Sequence, residues 1–400
     1  MQWIKSLWNY ELKFMSLSIL LLVVTCHFTI FGASLSIVLL YLSFLFYTFN
    51  KRSEFIKIET VWLGYLIFFL GLLVADILSE NSKDSVALFF QKRLPLWSIA
   101  LVIPIAFNKV DDVQQLIKYF LIVGVITSAV SIVNFLIFVL PEGGRLIMFT
   151  HYMTSGGMTM MLSLLLLGFS VGSGIPKKWR LFSLIGLVIC LMALVATSTR
   201  SSWLGFILGA IIIALFKKKE LIYILIIGII GFFFLAPASV QDRIESIWNP
   251  KHPNNVGRLN MWETGIEIWK DNKWFGVGDH DLKEIYAAYK KADDNETGGH
   301  LHNTIVMWLV TTGVLGFATV IIFISTIILT LIRTIKKSEE WFSKSLTVSV
   351  LACFSGFLLN GMFEWNFGDS EIITYISILL GFCWIIYTNQ KLHGATHHAV

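Results

Sequence analysis

Apolar residues in this chain come in uninterrupted blocks of about 20, and that feature alone excludes most folds. A soluble core would need them in alternating or helical stripes with polar residues between. Here 56% of the 400 residues are hydrophobic and only 14% are charged. A helix crosses the ~30 Å hydrocarbon layer with roughly 20 apolar residues, because lipid cannot hydrogen-bond backbone N–H and C=O groups and the helix bonds its own. The chain is therefore predicted to be an all-α, polytopic membrane protein. Spans are expected near 14–31, 33–50, 59–79, 93–107, 113–140, 156–173, 181–198, 201–216, 221–237, 303–332, 345–363 and 370–388. That makes about twelve; the blocks at 93–107 and 201–216 are short, and tilt, re-entry or extension by their flanks would lower the count to ten or eleven.

Lysine and arginine in short loops are retained on the cytoplasmic side. Eighteen of them fall in one alternating set of loops and five in the other, with the long segment 238–302 set aside. Among the eighteen are Lys51, Arg52 and Lys57. Both termini are thus predicted to be cytoplasmic. The first apolar block lacks a small-residue cleavage site and is followed at once by a second, so it reads as a span and not as a removable signal. Cys26, Cys190, Cys353 and Cys383 fall inside predicted spans without C-x-x-C spacing, and read as small core residues. The net charge of +5 follows from topology and calls for no nucleic acid.

The one break in hydropathy divides the chain into three. An N-terminal transmembrane region of about nine spans covers 1–237, a polar loop covers 238–302, and a C-terminal region of about three spans with a cytoplasmic tail covers 303–400. At roughly 65 residues the loop suits a small helical cap and is marginal for a domain with its own core. After Arg258, the residues Leu259, Trp262, Ile266 and Trp269 recur at helical spacing opposite Glu263, Glu267 and Lys270, which predicts an amphipathic helix resting on the membrane. A second short helix is expected near Leu282–Tyr289, after Gly276 and Gly278.

Ionisable residues at the edge of a bundle are expensive and usually functional, and here they gather on the outward face. Arg145 and His151 follow the fifth span, Arg200 lies at the turn between the seventh and eighth, Arg258 and His302 lie in the polar loop, and Glu364, Asp369 and Glu371 lie in the last outer loop. Arg200 sits in Thr197-Ser198-Thr199-Arg200-Ser201-Ser202-Trp203, where it either snorkels to the surface or grips a lipid phosphate. Arg258 opens the predicted amphipathic helix; it is either a solvated charge or part of an anion site at a helix start. His302, in Gly298-Gly299-His300-Leu301-His302-Asn303, has three readings. It is a base, or an interfacial or capping residue beside Asn303, or a metal ligand with His300, Asp293, Asp294 and Glu296. The metal spacing fits no familiar zinc pattern. His393, His397 and His398 read as solvated tail residues; Asp76, Lys92 and Arg93 fall near the same outer edge and are candidates to pair with one another.

Three strings, Thr197-Ser198-Thr199-Arg200-Ser201-Ser202-Trp203-Leu204-Gly205, Gly257-Arg258-Leu259-Asn260-Met261-Trp262 and His300-Leu301-His302-Asn303 with Gly313 and Gly316 downstream, resemble in order and spacing the O-antigen ligase and polymerase superfamily. The resemblance covers roughly residues 140–370. It implies about a dozen spans with one helical periplasmic loop, in the manner of membrane-embedded (GT-C-like) glycosyltransferases, in a bacterial inner membrane. It also implies a metal-independent, inverting transfer of glycan from an undecaprenyl-diphosphate-linked donor, with no cofactor. The acceptor would be a sugar hydroxyl of lipid A-core in the ligase branch and a second lipid-linked glycan in the polymerase branch; the His-Leu-His-Asn string and the modest loop lean toward ligase. Carried over, His302 would be the base and Arg200 and Arg258 would hold the donor diphosphate, with Asn303, His300 and Arg145 as further substrate-binding candidates. A transporter of lipid-linked sugar is the reading from another class, but it would place polar groups near the bilayer midplane rather than at one edge.

Overall fold

The computed structural model describes residues 2–50, 60–235, 238–292 and 294–397. Lys51, Arg52, Lys57, Asp293 and His398 lie outside the described residues. Every described element is helical or irregular, and the apolar blocks become helices in the expected order. These are α1 (Gln2–Thr25), α2 (Ile30–Asn50), α3 (Thr60–Leu78), α4 (Ser82–Leu88), α5 (Leu94–Ala106), α6 (Val110–Asn134), α7 (Tyr152–Ser170), α8 (Lys177–Ala196), α9 (Arg200–Lys217), α10 (Leu221–Leu235), α14 (Thr304–Lys337), α15 (Trp341–Gly361) and α16 (Ser370–His397). The polar segment supplies α11 (Ala238–Trp248), α12 (Pro253–Asp271) and α13 (Lys283–Tyr289).

Among the described residues ten helices are long and apolar enough to cross a membrane, or eleven counting one bent pair, against about twelve predicted spans. The difference lies at two short elements: the apolar part of α1 is Leu12–Thr25, and α10 has 15 residues. The short block at 93–107 is lengthened by its flank, since α4, a π-helical turn at Phe89–Arg93 and α5 form one rod from Ser82 to Ala106.

Helices α7, α15 and α16 form the buried centre, with α9 laid against α15. Small residues permit that contact. A Cβ on Gly205 would lie 2.8 Å from the Gly356 carbonyl oxygen, and one on Gly356 would lie 2.8 Å from that of Gly205. Gly209 meets Ala352 one turn further along, in the close packing that membrane helices use in place of a hydrophobic driving force. Buried Asn360 donates to the Ser202 hydroxyl at 2.7 Å and sets the register of the pair. This crossing fixes the start of α9, and hence Arg200.

Helix α14 departs from the predicted continuous span at 303–332. Gly313 has φ 61° and ψ −169°, which breaks the helix there. The freed backbone groups are taken up by residues 273–278: Val277 N–H donates to Val310 O (2.8 Å), Gly278 N–H to Thr311 O (3.0 Å), Val314 N–H to Lys273 O (2.8 Å) and Leu315 N–H to Trp274 O (3.3 Å). Irregular backbone at a membrane edge survives only when such partners exist. The polar segment is therefore plugged into the bundle, and its small core shows the same debt. Met261, Ile268, Val277, Leu282, Tyr286 and Leu301 close only with Met307 and Val310 of α14. Arg93 adds an ionic tie, reaching Asp76 of α3 at 3.0 Å and Asp279 of the polar segment at 2.8 Å, while Lys92 turns to the Gly368 carbonyl.

A helix forms over the expected residues as α12, but it departs from the predicted amphipathic helix in two ways. It begins at Pro253, capped by His252, so Arg258 lies in its second turn and the first-turn N–H groups are not beside it. Its buried face is Gly257, Met261, Thr264, Gly265 and Ile268, whereas Leu259 and Ile266 stay exposed. The glycines and Thr264 let the backbone sit closer than the larger apolar residues would allow.

Candidate functional site

Helices α7, α9, α14 and α16 begin, and α8 and α15 end, at the edge where the polar segment docks. The turn at Thr197–Thr199, with Ser198 at φ 52°, reverses the chain between α8 and α9 and puts Arg200 at the helix start. Its guanidinium donates to Ser246 O (2.7 Å), Ser246 Oγ (2.9 Å) and Asn255 Oδ1 (3.0 Å). Arg200 is thus pinned by α11 and α12 rather than snorkelling, and with five N–H donors on the group it keeps others free. Arg145 lies over the Tyr152 ring, 4.5 Å from its centre. Arg258 is half-buried and has no ion pair or hydrogen bond among the described residues. Burial lowers its pKa from the ordinary value, with Glu364 and Tyr152 partly offsetting.

Arg145, Arg200, Arg258 and His302 line one cavity of about 190 Å³, and Arg243 of α11 lines it too. His302 also lies on the wall of a cavity of about 600 Å³ that runs into the bundle past Gly157, Met160, Met161 and Phe357. It lines a third as well, about 410 Å³, walled by Asp281, Lys283 and Glu296 through His300. Three cavities therefore meet at a single imidazole.

That imidazole is held from two directions. His302 adopts φ 46°, strained for a residue with a Cβ. The next residue, Asn303, caps α14: its Oδ1 accepts from Ile305 N (2.9 Å) and Val306 N (3.1 Å), and its Nδ2 donates to Met362 O (3.0 Å). Asn303 is buried and lines none of the three cavities, so its geometry is that of a cap and a tie to the 362–369 loop. That loop presents Glu364, whose Oε2 is 3.1 Å from His302 Nδ1 and whose Oε1 is 3.4 Å from His300 Nε2. Burial by itself pushes the Glu364 carboxyl up, but the hydrogen bonds from His300 and His302 outweigh it and hold the group below the usual carboxylate range. A charged carboxylate only accepts, so Nδ1 of His302 carries a proton, and in a neutral imidazole Nε2 is then the nitrogen with the lone pair.

His300, His302 and Glu364 also offer three ligand atoms within 4.8 Å of one another, enough to hold a divalent ion. The hydrogen bonds account for the same contacts. Of the acids named with these histidines as possible ligands, Asp294 is engaged elsewhere, accepting from Tyr286 Oη at 2.5 Å and from Glu296 N at 2.9 Å, while Glu296 shares two of the cavities with His302 but is not among the three ligand atoms that converge.

Sequence reading missed two members of this cluster as site residues. Glu364 was visible only as one acid among three in the last outer loop. Arg243 falls within an amphipathic run in which Val240 and Ile244 face the bundle, and that spacing was the available signal.

No curated protein matches the chain significantly. A family model described as O-antigen ligase matches residues 185–321, from within α8 to just past the break in α14. The matched stretch contains Arg200, Arg243, Arg258, His300, His302 and Gly313, and so all three strings on which the resemblance rests. Residues 185–321 of this polytopic membrane protein are thus similar to the O-antigen ligase family, in support of the resemblance to the O-antigen ligase and polymerase superfamily.

Proposed function

We propose that the chain is an inverting membrane glycosyltransferase of the O-antigen ligase type, moving a glycan from undecaprenyl diphosphate to a sugar hydroxyl of lipid A-core at the periplasmic face of a bacterial inner membrane. The observation that carries this reading is the meeting of an arginine-lined cavity with two others at His302. Glycosyl transfer needs that arrangement: one place for the diphosphate, one for the donor sugar, one for the acceptor, and a base where they touch.

In the reaction, Nε2 of His302 takes the proton of the acceptor hydroxyl as its oxygen attacks the anomeric carbon. The bond from that carbon to the diphosphate oxygen breaks from the opposite side, inverting the centre, and the electron pair leaves with the lipid diphosphate. Arg200 and Arg258, with Arg145 beside them, face the charge that grows there, and fixed cations aimed at developing charge lower the barrier. His300 completes the hydrogen bonding of Glu364.

The test is His302→Ala in the native host. Surface lipopolysaccharide reduced to bare lipid A-core, with polymerised glycan left on its carrier, is the expected result. Core capped by a single repeat would instead identify a polymerase, and normal ladders would refute both. Purified activity abolished by chelators would move His300, His302 and Glu364 to a metal site.

A further inference from the structure

We propose that Arg243 is a diphosphate-binding residue, the fourth guanidinium of the arginine cavity; this rests on the reading of that cavity as the donor's diphosphate site. Three observations converge on it. Arg243 lines the same cavity as Arg145, Arg200 and Arg258. It is carried by α11, which Val240 and Ile244 seat against the bundle. The helix is also registered to Arg200 directly, because Ser246, three residues on, accepts two of that guanidinium's hydrogen bonds and donates its own hydroxyl to the Arg243 carbonyl at 2.7 Å. Residues three apart share a helix face, so the contact that positions Arg200 sets Arg243 beside it.

Charge says what the fourth cation is for. A diphosphate linked to a sugar gains one negative charge when the bond to the sugar breaks. Glu296 is the only carboxylate on the cavity wall among the described residues, so the lining keeps a large positive excess. That excess suits the departing lipid diphosphate better than the bound donor, which is how a binding residue accelerates a reaction. Arg243 also lies on an 11-residue helix outside the buried centre of the bundle, so its replacement leaves that centre in place.

The experiment measures binding of undecaprenyl diphosphate and undecaprenyl phosphate to the full chain in nanodiscs. Arg243→Ala is expected to weaken the diphosphate lipid roughly 10- to 100-fold, the range of one charge-assisted hydrogen bond, and the monophosphate less. Arg243→Lys, which keeps the charge, is expected to stay within about threefold of the parent. Wild-type diphosphate binding by Arg243→Ala, with binding lost in Arg200→Ala and Arg258→Ala, would overturn the proposal and leave the cavity's assignment standing. Wild-type binding by all three would overturn both. Equal losses for both lipids in the Ala and Lys variants would make Arg243 structural and also overturn the proposal.

Discussion

Glu364→Gln is expected to lower turnover by about 10²- to 10⁴-fold while leaving the affinity for undecaprenyl diphosphate within about threefold of the parent chain. The substitution keeps the shape of the side chain and removes its charge. As a carboxylate, Glu364 can only accept, which forces the His302 proton onto Nδ1 at 3.1 Å and leaves Nε2 free to take the acceptor's proton. A glutamine amide can present its NH₂ instead, which places the proton on Nε2 and removes the base. Glu364 does not line the arginine cavity, so diphosphate binding is spared. Steady-state kinetics with a lipid-linked donor, set beside direct binding of the lipid diphosphate, separate the two effects. Unchanged turnover would sink the tautomer argument and with it the role of His302.

The same carboxyl has a sign that pH can read. Its folded pKa is held below the ordinary carboxylate range by His300 and His302, against the upward push of burial. The folded state therefore binds the carboxyl's proton less readily than the unfolded one. The stability this contributes is complete above the unfolded carboxylate range and is lost progressively as pH falls below about 5. Glu364→Gln should flatten that acid limb in thermal melts.

Topology was the most legible part of this molecule, because a bilayer reduces the fold to a question about blocks of apolar residues. The grouping of Arg145, Arg200, Arg258 and His302 around one cavity was foreshadowed once the blocks were drawn, since alternate loops share an edge of the bundle. What stayed hidden needed partners distant in the chain. Glu364 meets His302 only because the 362–369 loop is stitched to the start of α14, where Thr304 Oγ1 reaches both Glu364 O and Asn366 Oδ1 at 3.2 Å. No spacing in either segment encodes that. The second-turn position of Arg258 was hidden for a local reason: Pro253, Asn254 and Asn255 read as loop residues, yet His252 caps them and Pro253 is tolerated in a first turn. The break in α14 was invisible because glycine is ordinary in a membrane helix, and its cause is a loop some forty residues upstream.

That break gives the largest structural prediction. Gly313→Ala is expected to lower the midpoint of thermal aggregation by roughly 5–10 °C, in line with a loss of several kcal/mol. A residue with a Cβ at φ 61°, ψ −169° sits in backbone space that is essentially glycine's alone, at a cost of about 1–3 kcal/mol. The added Cβ would also lie 2.3 Å from the backbone carbon of Trp274, so the 273–278 loop must withdraw. Withdrawal breaks its hydrogen bonds to Val310, Thr311, Val314 and Leu315 and leaves buried backbone groups unpaired, at about 1–3 kcal/mol each. Gly276→Ala attacks the same contact from the other side: at φ 72° its Cβ would lie 2.5 Å from the Thr311 backbone carbon. Two lesions in one contact should not add, so the double variant is expected to melt well above the sum of the single losses. Gly228→Ala in α10, where a Cβ meets nothing within 4 Å, serves as the control and should melt at or slightly above the parent. Because α14 also carries Asn303 at its start, and the loop shares a small core with it, the Gly313 variant should lose transfer activity at temperatures where the bundle is still folded. A Gly313→Ala protein as stable and active as the parent would mean that the polar segment is not held by this break.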